Sequence, residues 1–277
     1  MINVVIAYLI DLEFVWGFQA KVAGLSKTSP SFHYPPPTSF LGAMSEVIAK
    51  DYKICEKNGK KIITEFSKNL LAIGLKPLNC VPVGYADLNR IITIKLTCGN
   101  PYPDPKDLKR SFDSPAIGKT ILSIIDGETP IIRFFIVFKN DYLELNNNVR
   151  VNINEDLFWK IHRIGSKESR VSCINVEKCN VNVGYREALT NYSFKLDCVE
   201  AIVMEEVQGT WEVETYIDPF NIEVEYQPLD YIKGEKTTPF MIPIKKGLIE
   251  PKCKVKLKEN FVSYNLNEEV VIGRWLK

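Results

Sequence analysis

Several familiar sources of function are absent from this sequence of 277 residues. An excess of one charge is absent: 35 Lys and Arg stand against 34 Asp and Glu, a net charge of +1, so the total shows none of the basic surplus by which many nucleic-acid binders attract phosphate. Histidine is scarce, with only His33 and His162, which leaves few side chains that titrate near neutrality. No G-x-S-x-G elbow, P-loop, dinucleotide fingerprint or H-E-x-x-H helix is present, so the common hydrolase, nucleotide and zinc-peptidase chemistries have no local signature. The seven cysteines form no C-x-x-C pair and are odd in number, which argues against a disulfide frame or a zinc site and for buried, reduced thiols in a cytoplasmic protein. Long apolar runs are absent too. Residues 1–10 are apolar but lack a basic leader, and Asp11 and Glu13 follow at once, so neither a signal peptide nor a membrane span is expected. No metal and no cofactor are expected.

What is present is the composition of a globular chain, with 45% hydrophobic, 25% charged and 11% aromatic residues and no internal repeat. β-Branched and aromatic residues from Ile2 to Phe18 predict one long strand or two short ones. Tyr34-Pro35-Pro36-Pro37 is stiff and extended, and Thr38 or Ser39 is expected to cap a helix running to about Tyr52. A second helix is expected from Lys61 to Leu70, and strand material from Leu71 to Tyr85. Ala86 to Pro130 reads as an irregular insert with a short strand at Ile91 to Leu96. Ile131 to Phe138 is a buried strand crossed by one charge, Arg133. Asn154 caps a short helix expected to end at Gly165, and Val171 to Val183 is a further strand.

Strand, helix, strand, insert, strand, helix, strand is the βαββαβ order of the ferredoxin-like, RNA-recognition-like unit. The expected fold class is therefore α+β: a ferredoxin-like domain over residues 1–184 with an insert at 86–130, and a smaller β-rich part over residues 185–277. Such folds host many functions, so topology alone assigns none.

The near-zero charge hides an asymmetry. Residues 1–120 carry fifteen basic and ten acidic side chains, residues 121–277 twenty and twenty-four. Asp197 to Asp230 holds ten acidic residues and no Lys or Arg, while Lys233 to Lys258 holds eight lysines against two glutamates. Runs of this kind are commonly solvated faces; the acidic one would suit a protein partner better than RNA.

Arg163-Ile164-Gly165-Ser166-Lys167-Glu168-Ser169-Arg170 carries two readings. Its glycine, small serines and basic residues suit a backbone phosphate, and the same residues would serve equally as a plain helix C-cap with basic complements to the helix dipole. The insert interleaves Arg90, Lys95, Lys106, Lys109, Arg110 and Lys119 with Tyr85, Tyr102 and Phe112, a pattern suited either to gripping a nucleic-acid strand or to a solvated loop.

Three stretches together resemble one family. Tyr34-Pro35-Pro36-Pro37-Thr38-Ser39-Phe40-Leu41-Gly42-Ala43 is similar to the proline-rich motif of the CRISPR-associated Cas-five family in its type I-A (Csa) version. Residues 164–169 resemble that family's short glycine loop, and residues 112–120 resemble a segment of its type I-A members. The resemblance covers about the first 180 residues. It implies a non-enzymatic, archaeal or bacterial antiviral-defence subunit of the complex called Cascade, which holds the 5′ handle of the guide RNA (crRNA), caps the backbone filament, and meets a backbone subunit and a large subunit. The insert would be its thumb. In that setting the expected RNA-binding residues are Lys21, Lys27, Tyr34, Arg90, Arg110, Lys119, His162, Arg163, Gly165, Ser166, Lys167 and Arg170. One family branch cleaves precursor guide RNA without metal, and His162 or His33 would have to supply the base for such an endoribonuclease.

Overall fold

The structure is a computed structural model and describes residues 5–20, 30–55, 58–88, 95–97, 100–102, 116–145, 149–223 and 228–276. The first apolar segment forms β1 (Ile6–Phe14) and β2 (Gly17–Phe18). On β1, Tyr8, Ile10, Leu12 and Phe14 face one core cluster while Ala7 and Leu9 face another, which explains a run of apolar residues without polar alternation. Helix α1 (Pro37–Asp51) starts one residue before the expected cap: Pro36 is the N-cap residue, no side chain caps the turn, and Thr38 and Ser39 lie inside it. Proline fits the first helical position because its missing N–H would have had no helical partner there. The helix buries Phe40, Leu41, Met44, Val47 and Ile48, and Phe40 stacks on Phe134 with ring centroids 4.4 Å apart.

Gly42 lies in the interior of α1, and a Cβ built there meets nothing within 4 Å. Gly42→Ala is therefore expected to raise unfolding stability by up to about 1 kcal/mol, read from the urea midpoint, because alanine loses less backbone freedom in a helix.

Helix α2 (Gly59–Asn69) leads into β3 (Leu70–Pro77). The expected irregular insert is instead built on a paired hairpin: β4 (Cys80–Leu88) runs antiparallel to β7 (Ala116–Ile124) in unbroken register, with β5 (Lys95–Thr97) and β6 (Asn100–Tyr102) between them. Proline and charge made the segment read as a loop, whereas the β-branched residues of two distant arms pair across it. The short strand expected at Ile91 to Leu96 falls mostly outside the described residues.

β8 (Ile131–Phe138) follows, then the hairpin β9 (Tyr142–Leu145) and β10 (Val149–Asn152), helix α3 (Glu155–Trp159) and β11 (Val171–Cys179). Asn154 caps α3 as expected, its side chain accepting from the Leu157 N–H at 3.3 Å. The helix nevertheless stops at Trp159, so Gly165 is no helix cap; it belongs to a separate loop.

The remaining chain forms β12 (Asn182–Gly184), β13 (Glu187–Thr190), β14 (Phe194–Lys195), β15 (Val199–Gln208), β16 (Thr210–Ile217), α4 (Pro228–Ile232), β17 (Thr237–Ile244), β18 (Lys252–Leu257), β19 (Phe261–Leu266) and β20 (Glu269–Arg274). A seven-stranded sheet in the order β11-β1-β8-β3-β20-β19-β12 dominates this mixed α+β fold, and among the described residues three three-stranded sheets, β13-β18-β15, β14-β17-β16 and β2-β7-β4, and the two-stranded β9-β10 and β5-β6 accompany it. The expected division at residue 184 therefore runs through the largest sheet, and one core cluster joins Ala7, Leu9 and Phe135 to Tyr192, Val262, Tyr264 and Val271. The acidic and basic runs of the second half fold back on each other, since β15 pairs with β18 and β16 with β17. Lys254 meets Glu206 at 2.8 Å and Lys236 meets Glu223 at 2.6 Å, so part of the separated charge is cross-strand or cross-loop pairing.

On the sheet face away from the helices, one chain of charges crosses four strands. Asp11 of β1 takes both Nε and Nη2 of Arg133 at 2.6 and 2.8 Å. Arg133 of β8 also donates to Glu269 of β20 at 2.8 Å, and Lys76 of β3 donates to the other oxygen of Glu269 at 2.6 Å. The single charge in the apolar β8 run is thus held by two carboxylates. Five of the six described cysteines are buried free thiols, and burial pushes the Cys80 thiol up to about 12. Among the described residues, no helix is long and apolar enough to cross a membrane.

Candidate nucleic-acid interface

Three segments far apart in the chain meet around Gln19 and Ala20. The Gln19 N–H donates to Ser169 Oγ at 2.9 Å and its carbonyl accepts from the Ser166 N–H at 3.2 Å, so the residue just after β2 clasps the Gly165 loop. Phe18, one residue earlier, pairs with Thr120 of β7, which ties the base of the hairpin arm to the same spot. Phe32, just before the proline run, donates its N–H to the Ala20 carbonyl at 3.4 Å, and the Thr120 hydroxyl donates to the Phe32 carbonyl. Gly165 is required twice in this arrangement: its φ is +88°, and a Cβ on it would stand 2.8 Å from the Gln19 carbonyl oxygen.

Between the loop and the proline segment lies a cleft of about 230 Å³. Gly165 forms one side, Pro36, Thr38 and Ser39 of the first turn of α1 form another, and Tyr216, Ile217 and Tyr231 close it. The first turn of α1 has no side-chain cap and no acidic residue, so its positive end is not neutralised locally. An open helix N-terminus beside a glycine loop, with aromatic rings alongside, is chemistry suited to an anionic, base-bearing ligand.

The expected site residues fare unequally. Gly165 lines this cleft, and Ser166, Lys167 and Arg170 stand on the same loop; Lys167 and Arg170 are exposed and form no ion pair among the described residues. Arg163 is committed to Glu46 at 2.6 Å, and Glu46 also holds Lys50 at 2.7 Å. Burial alone would raise the Glu46 carboxyl, but hydrogen bonds from Arg163 and Lys50 bring it below the usual range. His162 stands next to this cluster, with Nε2 3.4 Å from Lys50 Nζ. Tyr34 needs correction: it is fully buried, its hydroxyl donates to the Cys80 carbonyl at 3.3 Å, and it fastens the proline segment to the hairpin arm instead of facing a ligand. Lys119 is on β7, one residue from Thr120. Lys21, Lys27, Arg90 and Arg110 lie outside the described residues.

Sequence reasoning missed Tyr216, which sits within the acidic run Asp197 to Asp230, and Tyr231, which follows it directly. The available signal was its aromatic content: Trp211, Tyr216, Phe220, Tyr226 and Tyr231 recur among the carboxylates. It also missed the partners of His33. That imidazole lies between two carboxylates of β16, with Nδ1 2.6 Å from Glu214 and Nε2 3.3 Å from Glu212. The hydrogen bond to Glu214 raises its pKa above the ordinary histidine value, against the opposing effect of burial. A group raised on folding stabilises fully below its unfolded pKa, about 6.5, and that share is lost as pH rises through the higher folded value. His33→Gln should therefore flatten the decline in the urea midpoint between about pH 6 and pH 8 relative to the parent protein; an unchanged slope would contradict the ion pair.

No protein-family model matches the chain. A curated relative, CRISPR-associated protein Cas5 2 of Saccharolobus solfataricus, is 26% identical over 189 residues, which span 66% of this chain and 66% of the relative. The chain is also similar to a solved structure, that of a CRISPR protein from Archaeoglobus fulgidus, with 46% identity, a TM-score of 0.71, and coverage of 98% of this chain and 100% of that one.

Proposed function

We propose a function for this chain from the fact that it belongs to the CRISPR-associated Cas5 family: it binds the 5′ handle of a guide RNA as a non-catalytic, cytoplasmic subunit of a type I-A Cascade complex, and it caps the backbone filament. The observation that carries this is the cleft where the Gly165 loop, the open first turn of α1 and Tyr231 converge, with Lys167 and Arg170 beside it. The order β11-β1-β8-β3, all neighbours antiparallel and with helices between strands 1 and 3 and between 8 and 11, supports reading these strands as a ferredoxin-like, RNA-recognition-like unit. The β4–β7 hairpin then takes the part of the thumb, and the backbone and large Cascade subunits are its expected protein partners.

Catalysis has little support in the geometry. Both ring nitrogens of His33 face carboxylates, an arrangement that favours the protonated imidazole, in which both N–H groups are engaged and no lone pair is free to take a ribose proton. Precursor repeat RNA incubated with the protein in EDTA should stay intact, and should do so equally with His33→Ala and His162→Ala.

Fluorescence anisotropy with labelled handle RNA and a scrambled control, at matched salt and with the backbone subunit present, tests the binding. The handle should bind at least about tenfold more tightly. Charge reversal at Lys167 and Arg170 should weaken it at least tenfold and lower the salt slope by about two, since each phosphate contact contributes roughly one unit. Equal affinity for handle and scrambled RNA would refute the proposal.

A further inference from the structure

A second cavity, of about 530 Å³, lies where the chain turns from the seven-stranded sheet into the β13-β18-β15 sheet. Its walls come from β12, β13, the start of β18, the β19–β20 turn and Lys76 of β3. None of the residues expected to bind RNA lines it.

The lining carries Glu187, Glu250, Glu268 and Glu269 against Lys76 and Lys252. Lys76 and Glu269 hold each other at 2.6 Å and Glu187 lies 3.7 Å from Lys254, which leaves Glu250 and Glu268 against Lys252. The surplus is therefore acidic, which disfavours a phosphate or a nucleic-acid strand. Among the described residues no three His, Cys, Asp or Glu side chains are grouped to hold a metal ion. An organic cation remains as the ligand class.

Two features select a guanidinium among cations. Asn191 is 8% exposed and lines the cavity; its Nδ2 donates to Glu250 at 2.9 Å, and its buried Oδ1 has no hydrogen-bond partner. An unsatisfied buried acceptor costs about 1–3 kcal/mol, a penalty that a donor seated against it would relieve. Glu250, with 47% of its side chain exposed, uses Oε1 for the Asn191 amide and for Lys76, so that one planar fork would meet its Oε2 and the Asn191 oxygen together. At the rim stands Tyr185, 59% exposed and edge-on to Trp275 with centroids 6.1 Å apart, a ring face on which a guanidinium stacks and an ammonium gains less.

We propose that this cavity receives an arginine side chain from a partner polypeptide, with Glu250, Glu268 and Asn191 as acceptors and Tyr185 as the stacking wall. The site is separate from the guide-RNA cleft, so its failure or success leaves the proposed function untouched.

The test is an NMR titration of the isotopically labelled full chain with three capped tripeptides: acetyl-Gly-Arg-Gly-amide, its lysine counterpart and its citrulline counterpart. The arginine peptide should give saturable shifts at residues 187–191, 250–252 and 265–270, with weaker binding by the lysine peptide and at least tenfold weaker binding by the uncharged citrulline peptide. Glu250→Gln combined with Glu268→Gln should weaken arginine binding at least tenfold without moving the thermal midpoint. Absence of saturable shifts, equal binding of citrulline, or displacement of the peptide from these residues by handle RNA would each overturn the assignment. The citrulline comparison uses the unaltered protein, so it decides even where a variant fails to fold.

Discussion

Arg133→Met is expected to destabilise the protein by about 3–5 kcal/mol, because it leaves the buried Asp11 carboxylate without a cation and Glu269 with Lys76 alone. Asp11 is buried and Glu269 largely so, and the one guanidinium serves both: Asp11 takes its Nε and Nη2 and otherwise only the Asn175 amide at 3.3 Å, while Glu269 takes its Nη1 beside Lys76. Methionine fills similar space but removes both guanidinium bonds to Asp11 and one donor to Glu269. In a chain of this size each kcal/mol moves the melting midpoint by about 2–4 °C, so a loss of roughly ten degrees should be seen by calorimetry. Replacing the whole set at once, with Asp11→Leu and Glu269→Leu added, should recover part of that loss, since no unpaired charge then remains except on Lys76. Acidity adds a second readout. Burial would push the Glu269 carboxyl up, but hydrogen bonds from Lys76 and Arg133 hold it below the ordinary value. A carboxylate depressed in this way stabilises the fold above its unfolded pKa, about 4.3, and the contribution disappears as pH falls through the folded value. The gap between parent and variant should therefore be full at pH 6 to 7 and shrink in acid. A variant within 1 kcal/mol of the parent at neutral pH would show that the network is dispensable.

Gly165→Ala is the second large effect, and it should appear in both stability and RNA binding. The φ of +88° is strained for alanine, and the new Cβ would press on the Gln19 carbonyl at 2.8 Å, a rigid backbone atom with no rotamer to yield. A loss of about 1–3 kcal/mol is expected from the strain. To avoid the clash, the loop must release the Ser166 N–H to Gln19 bond and shift the wall of the cleft, so handle affinity should fall at least tenfold. Ser166→Ala is the control: it removes one hydroxyl contact to Ser169 but keeps the backbone, and should cost far less in both measurements. Full handle affinity in a destabilised Gly165→Ala protein would separate the loop from the RNA site.

Much of the frame was legible from local pattern. The apolar run at Ile131 to Phe138, the prolines before α1 and the Asn154 cap each report a physical constraint carried within a few residues. What failed was set by distance. Helix α3 looked continuous to Gly165 because Ile161 and Ile164 keep helical spacing, yet both are buried in irregular backbone held by Val171 and Ser169. The β4–β7 pairing joins segments separated by most of the insert, and no local periodicity announces such a partner. Tyr34 looked like a ligand contact because an aromatic in a functional motif invites that reading; its burial depends on the Cys80 carbonyl, far along the chain. Tyr216 and Tyr231 reach the cleft only because β16 and α4 fold back beside α1.

The position of β20 has a further consequence for synthesis. Gly273 pairs with Ala72, so the inner edge of β3 is completed by a strand from the far end of the chain. At 5–20 residues per second, a ribosome makes that partner roughly ten to forty seconds after β3 itself. During this interval β11, β1, β8 and β3 can assemble around α1, but β3 presents an open edge and the apolar face of Ala7, Leu9, Phe135 and Val137 has yet to receive Tyr192, Val262 and Val271. The nascent chain is thus most prone to aggregation late in its making, and co-expression of the completing segment 252–277 with a chain stopped at 251 should return soluble protein that the shorter chain alone does not yield.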